Sequence, residues 1–275
     1  MALPKISVIT PSYNQAQYIE ATINSVLEQG YPALEYLVVD GGSTDGALDI
    51  LRRYEDRLNW ISEPDEGQAQ AINKGFKRST GEIVTWLNSD DLHLPEALHR
   101  VAEFFNQHPE VNVVYGDYHL INSRGQVVLQ KQEILFDYNI LLYGLDYISQ
   151  PTTFFRRCIF DQVGYLDESL HFGLDWEYWL RIASRGGRFA HIPYYLAATR
   201  WHTEAKTLVA PPQMYAEHQA IRERYWQKHR FKSAQLQQLY SYGLNKVYRL
   251  KRQLIKILTR RTLDFPPGHW VMNRQ

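Results

Sequence analysis

Short apolar runs alternate with longer amphipathic stretches along the first part of the chain. The runs at 6–10, 36–39, 60–61 and 83–87 are rich in β-branched and aromatic residues, which predicts short buried strands. Between these runs, apolar residues recur at intervals of about three or four positions, as they do on the buried side of a helix. Strands that alternate with helices indicate an α/β domain with a mostly parallel sheet covered on both faces.

The same reasoning extends to the rest of the domain, where turn residues such as Gly30 and Pro32 mark the ends of elements. The predicted elements after the first strand are helices at 18–27, 50–54, 69–77, 95–105 and 176–182, a strand at 111–115 and a hairpin at 122–125. Ligands of parallel sheets bind beyond the carboxyl ends of the strands, so the polar clusters that follow the apolar runs are the candidates for a site.

The C-terminal part of the chain differs from the rest in its charge. Residues 225–275 contain eleven Lys and Arg and one acid, a net charge of +10, whereas the whole chain has a formal charge of +0. Apolar residues recur with helical spacing between 232 and 261, so we predict a basic amphipathic helix, although Gly243 weakens the case for an uninterrupted one. We therefore divide the chain into an α/β domain at 1–225 and a helical extension at 226–275.

Two interpretations of this extension are open. A basic amphipathic helix can lie on an anionic membrane surface as a peripheral contact. It can equally pack on its own domain or on a partner subunit. The extension lacks a recognised nucleic-acid-binding motif, so we expect no nucleic acid partner, and the sequence leaves the oligomeric state open.

Composition narrows the class of protein. A single cysteine, Cys158, excludes an internal disulfide framework and favours a reducing compartment. No apolar stretch approaches the ~20 residues of a membrane-spanning helix, and the N-terminus lacks the pattern of a signal peptide. We expect a cytoplasmic protein, with the inner face of the plasma membrane as the place where the extension would act.

The most informative polar cluster is Asn88-Ser89-Asp90-Asp91, which follows the predicted strand at 83–87. Carboxylate oxygens suit hard cations such as Mg²⁺ and Mn²⁺, which bind diphosphates and keep positions open for water or substrate. Taken alone, these residue types are also typical of an ordinary turn at the end of a strand. The remaining clusters favour the functional interpretation.

Two further clusters follow the first two strands. Pro11 and Tyr13 come after the first, where an aromatic ring could stack on a nucleobase. The stretch from Asp40 to Asp45 follows the second strand and contains two glycines, which let the backbone approach a ligand, and carboxylates that accept hydrogen bonds from a base or a ribose. Neither a P-loop nor a dinucleotide-binding glycine pattern is present.

In this order, the clusters resemble family 2 inverting glycosyltransferases of the GT-A fold, over about residues 5–207. The blocks that carry the resemblance are Val8–Asn14, Val39–Asp45, Asp65–Gly75, Leu87–Asp91, Gly173–Arg181 and Arg200–His202. The resemblance implies a Rossmann-like, mostly parallel central sheet flanked by helices, to which the basic helical extension is added.

The resemblance also implies a binding site for a nucleotide-sugar donor. The expected donor-binding residues are Pro11, Tyr13 and Asp40 at the nucleobase, and Asp45, Gly67, Lys74, Asn88, Ser89 and Lys206 along the rest of the donor. Asn88 stands where many relatives have an aspartate, so it can hydrogen-bond a ribose but contributes no charge. Lys206 would add a positive charge beside the leaving phosphates.

A divalent cation, Mn²⁺ or Mg²⁺, is the cofactor that the resemblance implies. Asp90 would correspond to the metal-binding acid of the family, with Asp91 assisting and His202 completing the ligand shell or touching the diphosphate. A divalent ion neutralises the charge of the leaving diphosphate. A lone histidine before a polar loop is otherwise more often structural.

Asp175 is the expected general base. In an inverting displacement, an acceptor hydroxyl attacks the anomeric carbon opposite the leaving group, and a carboxylate must take its proton. The alternative role of Asp175 is to cap the helix that follows it. Many relatives carry a Glu before this Asp, whereas this chain has Leu174.

We therefore expect an enzyme that moves one sugar from a nucleotide donor, with UDP as the first candidate, to a hydroxyl of a glycan or lipid-linked acceptor in envelope polysaccharide or glycoconjugate synthesis. Asn88 and Leu174 keep open a second interpretation, a catalytically silent nucleotide-sugar-binding or scaffold protein. A nucleotidyltransferase is disfavoured because its glycine-rich basic phosphate loop is absent, and a processive synthase because membrane-spanning helices are absent.

Overall fold

A computed structural model describes residues 3–202, 212–226, 234–259 and 261 of the chain. Within these ranges, nine strands form a single sheet. The strands are β1 (Ile6–Ser12), β2 (Leu34–Asp40), β3 (Asn59–Ser62), β4 (Ile83–Trp86), β5 (Leu92–His93), β6 (Val113–Ile121), β7 (Val127–Lys131), β8 (Phe154–Arg156) and β9 (Phe189–Arg200).

The order of the strands across the sheet is β3-β2-β1-β4-β8-β6-β9-β5. β8 pairs with the start of β6, and β7 pairs with its end. β1 is parallel to β2 and β4, β2 is parallel to β3, and β6 is parallel to β9, whereas β5, β7 and β8 pair in antiparallel fashion. Most strands therefore run in one direction, which confirms the predicted mostly parallel α/β sheet.

Helices cover both faces of this sheet. They are α1 (Ala16–Leu27), α2 (Ala47–Arg52), α3 (Gln68–Arg78), α4 (Ala97–Gln107), α5 (Ile159–Val163), α6 (Leu174–Ser184), α7 (Pro212–Tyr225) and α8 (Ala234–Leu258), with a π-helical turn at Ile140–Gly144 and a 3₁₀ turn at Gln150–Thr152. Each helix predicted from apolar spacing is present, and the predicted hairpin connects β6 to β7.

The sheet divides the core into two layers because successive side chains of a strand point to opposite faces. In β1, Ile9 packs in one layer and Val8 in the other. α3 approaches β1 so closely that a Cβ atom on Gly75 would lie 2.4 Å from Cγ2 of Ile9. This contact accounts for a glycine inside a helix, where glycine is otherwise unfavourable.

The sequence analysis did not predict β8 or β9. β9 contains Pro193, which has no N–H to donate to a strand ladder. Its register against β6 shifts at this point, from the pair Gly116 and Ile192 to the pair Asp117 and Tyr195, so Pro193 lies in a bulge. A proline in an apolar stretch of sequence is evidence against a strand. The bulge accommodates Pro193 because its position there needs no N–H donor.

α8 packs on the α/β domain through its polar side. Arg252 donates to both carboxylate oxygens of Glu133, at 2.8 and 2.6 Å, and all three charged groups of the cluster formed by Glu133, Arg252 and Lys256 are buried. Asn245 donates to the carbonyl oxygens of Tyr143 and Gly144. The interpretation of a helix packed on its own domain is therefore observed, and the helix continues through Gly243; the boundary at residue 225 stays a prediction.

We expect Glu133→Gln to lower the free energy of unfolding by about 3 kcal/mol, because it removes the negative charge that buried Arg252 and Lys256 face. The free energy would be measured by urea unfolding. Glu103→Gln is the matched control, since Glu103 is exposed on α4 and bonds only Gln107 in its own helix. Equal stabilities of the two variants would contradict a structural role for this ion cluster.

Candidate active site

The first strands of the sheet end side by side and place their following loops at one edge. β1 and β2 are in register to their last residues, with Ser12 opposite Asp40, and β4 lies on the other side of β1, with Ile9 opposite Trp86. The loops that follow β1, β2 and β4 therefore meet at the carboxyl edge of the sheet. This edge is where ligands of open α/β sheets bind.

Asp40 is buried and shapes the loop after β2. Its carboxylate accepts hydrogen bonds from the backbone N–H groups of Gly42 (3.0 Å) and Ser43 (2.8 Å), and from the hydroxyls of Ser43 (2.5 Å) and Ser62 (2.8 Å). Pro11 is buried in β1 opposite Val39. Two of the three residues predicted to contact the nucleobase, Pro11 and Asp40, thus lie buried at this edge of the sheet.

Tyr13 is the exposed aromatic of this edge, with 62% of its surface accessible. A Cβ atom on Gly41 would lie 3.3 Å from Cδ2 of Tyr13 and 2.7 Å from Oδ2 of Asp65, so the glycine leaves room between these two side chains. An exposed ring beside bare backbone offers a flat apolar face on which a nucleobase can stack.

Asp45 joins the loops to the helices behind them. Its two oxygens accept the backbone N–H groups of Ala16 (2.7 Å) and Ala47 (3.1 Å), at the starts of α1 and α2. The first N–H groups of a helix lack partners within it, and Asp45 satisfies one such group in each of these two helices. In this structure the carboxylate of Asp45 serves the scaffold at the rim of the site.

The segment from Asp65 to Gln68 connects two parts of the site. Nε2 of Gln68 donates to Oδ1 of Asn88 at 2.7 Å, which fixes the amide that follows β4. A Cβ atom on Gly67 would lie 3.9 Å from Nδ1 of His171, in the loop that leads to α6. The segment therefore lies between the Asn88 loop and the loop before Asp175.

Lys74, on α3, points back towards the loop before that helix. Its Nζ lies 3.0 Å from Oε1 of Glu63 and 3.2 Å from the carbonyl oxygen of Pro64. Lys206, the other predicted cation of the donor site, lies outside the described residues. Arg200, which the sequence analysis quoted only as part of a motif, contacts both Asp90 and Asp91.

Asp90 and His202 contact each other at the carboxyl edge of the sheet. Oδ2 of Asp90 lies 2.9 Å from Nε2 of His202, and the ring of His202 packs on Tyr18. Nε of Arg200 donates to the carbonyl oxygen of Asp90 at 2.8 Å, and this guanidinium lies over the ring of Tyr18. Residues from two distant segments are thus brought together as the resemblance implies.

Asp91 and Ser89 lie beneath this pair and are buried. One oxygen of Asp91 accepts the backbone N–H of Arg200 at 2.9 Å, and the hydroxyl of Thr22 donates to the carbonyl oxygens of Ser89 and Asp91. Burial, followed by the charge of Asp90, raises the pKa of Asp91 well above its usual range. The hydrogen bond from the backbone N–H of Arg200 to Asp91 ties the end of β9 to the loop that follows β4.

The described ranges contain no cluster of three His, Cys, Asp or Glu side chains arranged to hold a metal ion. Asp90 and His202 nevertheless supply one carboxylate oxygen and one imidazole nitrogen side by side. Mg²⁺ sites for phosphate substrates commonly use one or two carboxylates and complete the shell with phosphate oxygens and water. The donor chemistry of this pair fits such an ion, which would bind together with a diphosphate.

Asp175 lies in the first turn of α6, near the end of β4. Trp86 of β4 stacks on Trp179 of α6, with ring centroids 5.4 Å apart, and its carbonyl oxygen accepts a hydrogen bond from Gln150. Trp176 and Trp179 are both buried in the core. These contacts fix the start of α6 at the carboxyl edge of the sheet.

Asp175 as a residue is only partly exposed, and its carboxylate accepts the N–H of Trp176 at 2.8 Å, so it also satisfies an amide of the first helical turn. Burial, and then the negative charge of Glu217, raise the pKa of Asp175 to about 6. A base works best when its pKa lies near the working pH. The environment of Asp175 suits proton abstraction from a hydroxyl.

Asp146 interacts with Asp175 through its charge and was missed in the sequence analysis. Burial and the charge of Asp175 raise the pKa of Asp146 well above its usual range. The available signal was a lone acid in an apolar stretch at 140–148, since a charge in such surroundings is costly without a specific role.

Residues 7–164 of the chain match the family model described as glycosyl transferase family 2, which covers more than half of the sequence. The chain is a family 2 glycosyltransferase. The matched range contains the loops after β1, β2 and β4. It ends before α6, so Asp175 lies beyond it.

Curated relatives agree with this assignment. The glycosyltransferase is 31% identical over 202 residues to a PGL/p-HBAD biosynthesis glycosyltransferase of Mycobacterium bovis, a match that covers 70% of this chain and 76% of the relative. Matches to three other curated bacterial glycosyltransferases cover 36, 60 and 58% of their lengths. The chain thus spans between about a third and three fifths of the length of those proteins.

Solved structures support the fold. The S. aureus TarS 1–349 structure in complex with UDP-GlcNAc superposes with a TM-score of 0.66 at 22% identity, covering 91% of this chain and 72% of that one. The mannosyltransferase PcManGT from Pyrobaculum calidifontis, in complex with GDP-Man and Mn²⁺, gives a TM-score of 0.65 at 23% identity, covering 94% and 76%. The GT-A fold predicted for the glycosyltransferase is confirmed.

Glu217 of α7 clamps the loop that positions Asp175 in this glycosyltransferase. Its carboxylate accepts the backbone N–H groups of His171 (2.8 Å), Phe172 (2.8 Å) and Gly173 (2.6 Å). Three amides on one carboxylate fix both the loop and the first turn of α6. The sequence analysis missed Glu217 because it lies far from Asp175 along the chain and in no quoted motif.

We expect Glu217→Gln to move the acidic limb of the pH profile of kcat/KM to lower pH. The charge of Glu217 raises the pKa of Asp175, so its removal lowers that pKa, and the base stays deprotonated further below pH 6. The control is Glu223→Gln, an exposed acid on the same helix that bonds Gln219. A limb that stays in place or moves upward in Glu217→Gln would contradict this electrostatic coupling.

Proposed function

We propose that this glycosyltransferase moves a single sugar from a nucleotide-diphosphate sugar, with UDP as the first candidate base, to a hydroxyl of a glycan or lipid-linked acceptor. The transfer inverts the anomeric centre and depends on Mn²⁺ or Mg²⁺. The observation that carries this proposal is the placement of Asp175, a carboxylate with a pKa of about 6, at the same sheet edge as the Asp90 and His202 pair.

The donor would lie along the carboxyl ends of β1, β2 and β4. Its base would stack on exposed Tyr13 above Gly41, and the ribose would meet the amide of Asn88, which Gln68 holds in place. Structural neighbours at this fold level include complexes with UDP-GlcNAc and with GDP-Man and Mn²⁺. These complexes make both UDP and GDP reasonable bases to test.

The diphosphate would lie at Asp90 and His202. A divalent cation bound by these two side chains would neutralise charge on the leaving diphosphate as a Lewis acid. Arg200, held by its bonds to Asp90 and to the carbonyl oxygens of Asn122 and Ser123, keeps the segment that carries His202 in place. Asp91 supports the same segment through the amide of Arg200.

Asp175 would take the proton of the acceptor hydroxyl while the hydroxyl oxygen bonds to the anomeric carbon. The bond from that carbon to the diphosphate oxygen breaks on the opposite face, so the configuration inverts. Charge moves from the base to the leaving nucleoside diphosphate. The raised pKa of Asp175 makes it a stronger base than an ordinary aspartate, and it remains deprotonated at neutral pH.

We also propose a place for this reaction in envelope polysaccharide or glycoconjugate synthesis, on the cytoplasmic side of the plasma membrane. The curated relatives include a putative teichuronic acid biosynthesis glycosyltransferase of Bacillus subtilis, 45% identical over 105 residues. Cys158 is free and exposed, which suits a reducing compartment.

The test is a donor screen with product analysis. The protein would be incubated with UDP-, GDP- and TDP-sugars, Mn²⁺ and a bacterial lipid extract, and the glycosylated product would be examined by NMR. A product of inverted anomeric configuration is expected. A product of retained configuration would overturn the role of Asp175, and donor binding without turnover would favour the silent nucleotide-sugar-binding protein.

A further inference from the structure

One side of α8 is apolar and faces away from the domain. We call this set the outward face: Leu239, Val247, Leu250, Leu254, Ile257 and Leu258, each at least 50% exposed. With about 3.6 residues per turn, these positions form one continuous stripe along the helix. A stripe of this kind on a surface helix normally faces the core, and here it does not.

The opposite side of α8 explains this orientation. The polar side chains Asn245, Arg252 and Lys256 point inward, to the 140–144 turn and to buried Glu133. Tyr248 stacks on Tyr143 on the same side. The helix is therefore anchored by specific polar contacts, and these contacts leave its apolar stripe on the surface.

The charges on α8 indicate whether a second copy of the chain or a lipid surface covers the outward face. α8 contains five Lys and Arg and no Asp or Glu. Lys246, Arg249 and Lys251 are exposed; of these, Lys251 pairs with Asp137 and Arg249 donates to the carbonyl oxygen of Gly144. A second copy of the chain docked through the same stripe would bring like charges together, whereas an anionic lipid surface offers an apolar layer beneath negative headgroups.

We propose that the outward face of α8 docks on an anionic lipid bilayer, with the helix lying in the plane of the interface. No helix in the described ranges is long and apolar enough to cross a membrane. The docking is peripheral: the stripe enters the boundary between headgroups and acyl chains, and exposed Lys246, which lies next to the stripe, reaches the headgroups.

Docking in this way places the acceptor end of the site beside the bilayer. The inward side of α8 contacts Tyr143 and Gly144 of the 140–144 turn, and the carbonyl oxygen of Leu141 in the same turn accepts a hydrogen bond from the indole of Trp176, next to Asp175. A lipid-linked acceptor could then present its hydroxyl to Asp175 while its lipid stays in the membrane. This consequence, unlike the docking itself, rests on the proposed function.

The test uses flotation of the full chain with vesicles of phosphatidylcholine alone or of phosphatidylcholine and phosphatidylglycerol in equal parts. The variants are Leu250→Gln/Leu254→Gln on the outward face and Val127→Gln/Val128→Gln on β7, where both valines are exposed. All four side chains are on the surface, so these changes should leave folding intact, which thermal melting of each variant checks.

We expect the parent and the β7 variant to float with the anionic vesicles and to be released by high salt, which screens surface charge. The α8 variant should lose at least about tenfold in partitioning, since its apolar contact with lipid is reduced. Equal flotation of the two variants, or none of the parent, would overturn the proposal. So would a parent dimer in sedimentation that the α8 variant dissociates, because the stripe would then join two copies. Flotation does not depend on turnover, so its failure would leave the proposed reaction untouched.

Discussion

Asp175→Asn is expected to lower kcat by about 100- to 10,000-fold, the range that a positioned general base contributes. An amide cannot take the acceptor proton, while its oxygen can still accept the N–H of Trp176, so α6 should keep its first turn. The affinity for the donor nucleotide should remain unchanged because Asp175 acts on the acceptor. Steady-state kinetics would measure the first effect, and calorimetry with the nucleoside diphosphate the second.

Asp161→Asn is the matched control for this result. Asp161 also lies in the first turn of a helix, α5, and it is exposed. Its replacement should leave kcat unchanged. If Asp175→Asn retained most of its activity, or lost donor affinity to the same extent as kcat, Asp175 would not be the base. Asp146, whose charge interacts with that of Asp175, would then be the next candidate.

The second large effect is expected for Asp90→Asn. Replacing this carboxylate leaves His202 without the charged partner at 2.9 Å and removes the negative ligand for a divalent ion. Lewis-acid stabilisation by a metal is worth several kcal/mol, so kcat/KM for the donor should fall by at least about 100-fold. A titration of nucleoside diphosphate binding with Mn²⁺ should also lose its dependence on the ion.

Asp91→Asn separates the two acids. Asp91 accepts the amide of Arg200, and an asparagine oxygen can still do so. If Asp91 only holds this segment, the variant should keep the Mn²⁺ dependence of nucleotide binding that Asp90→Asn loses. Loss of that dependence in both variants would show that Asp91 is also a ligand, as the sequence analysis expected.

The sequence was sufficient to predict that the site lies at the carboxyl edge of the sheet, because local patterns of apolar and polar residues reveal the strands and the polar loops that follow them. Each apolar run ends in a polar cluster, and parallel strands bring such clusters together. The Asp90 and His202 pair required more, because their partnership spans 112 residues. The family resemblance supplied it, and the structure brings the two side chains together.

Other parts of the site depend on contacts that no local pattern contains. Glu217 reaches the loop before Asp175 from a separate helix, and Asp146 comes from a turn whose apolar neighbours resemble core. The orientation of α8 was also out of reach. Its apolar spacing predicts an amphipathic helix, but the side that faces the domain is decided by Glu133, which is 119 residues from Arg252.

The most direct test of the account is thermal melting of the full chain with UDP, GDP, TDP and their sugars, each with Mn²⁺ or with a chelator. A ligand that binds only the folded state raises the Tm by mass action. The account predicts that one nucleotide raises the Tm when Mn²⁺ is present, that the chelator removes most of this shift, and that Asp90→Asn abolishes it. No shift with any nucleotide at millimolar concentration, with or without the metal, would contradict a donor site at this edge of the sheet.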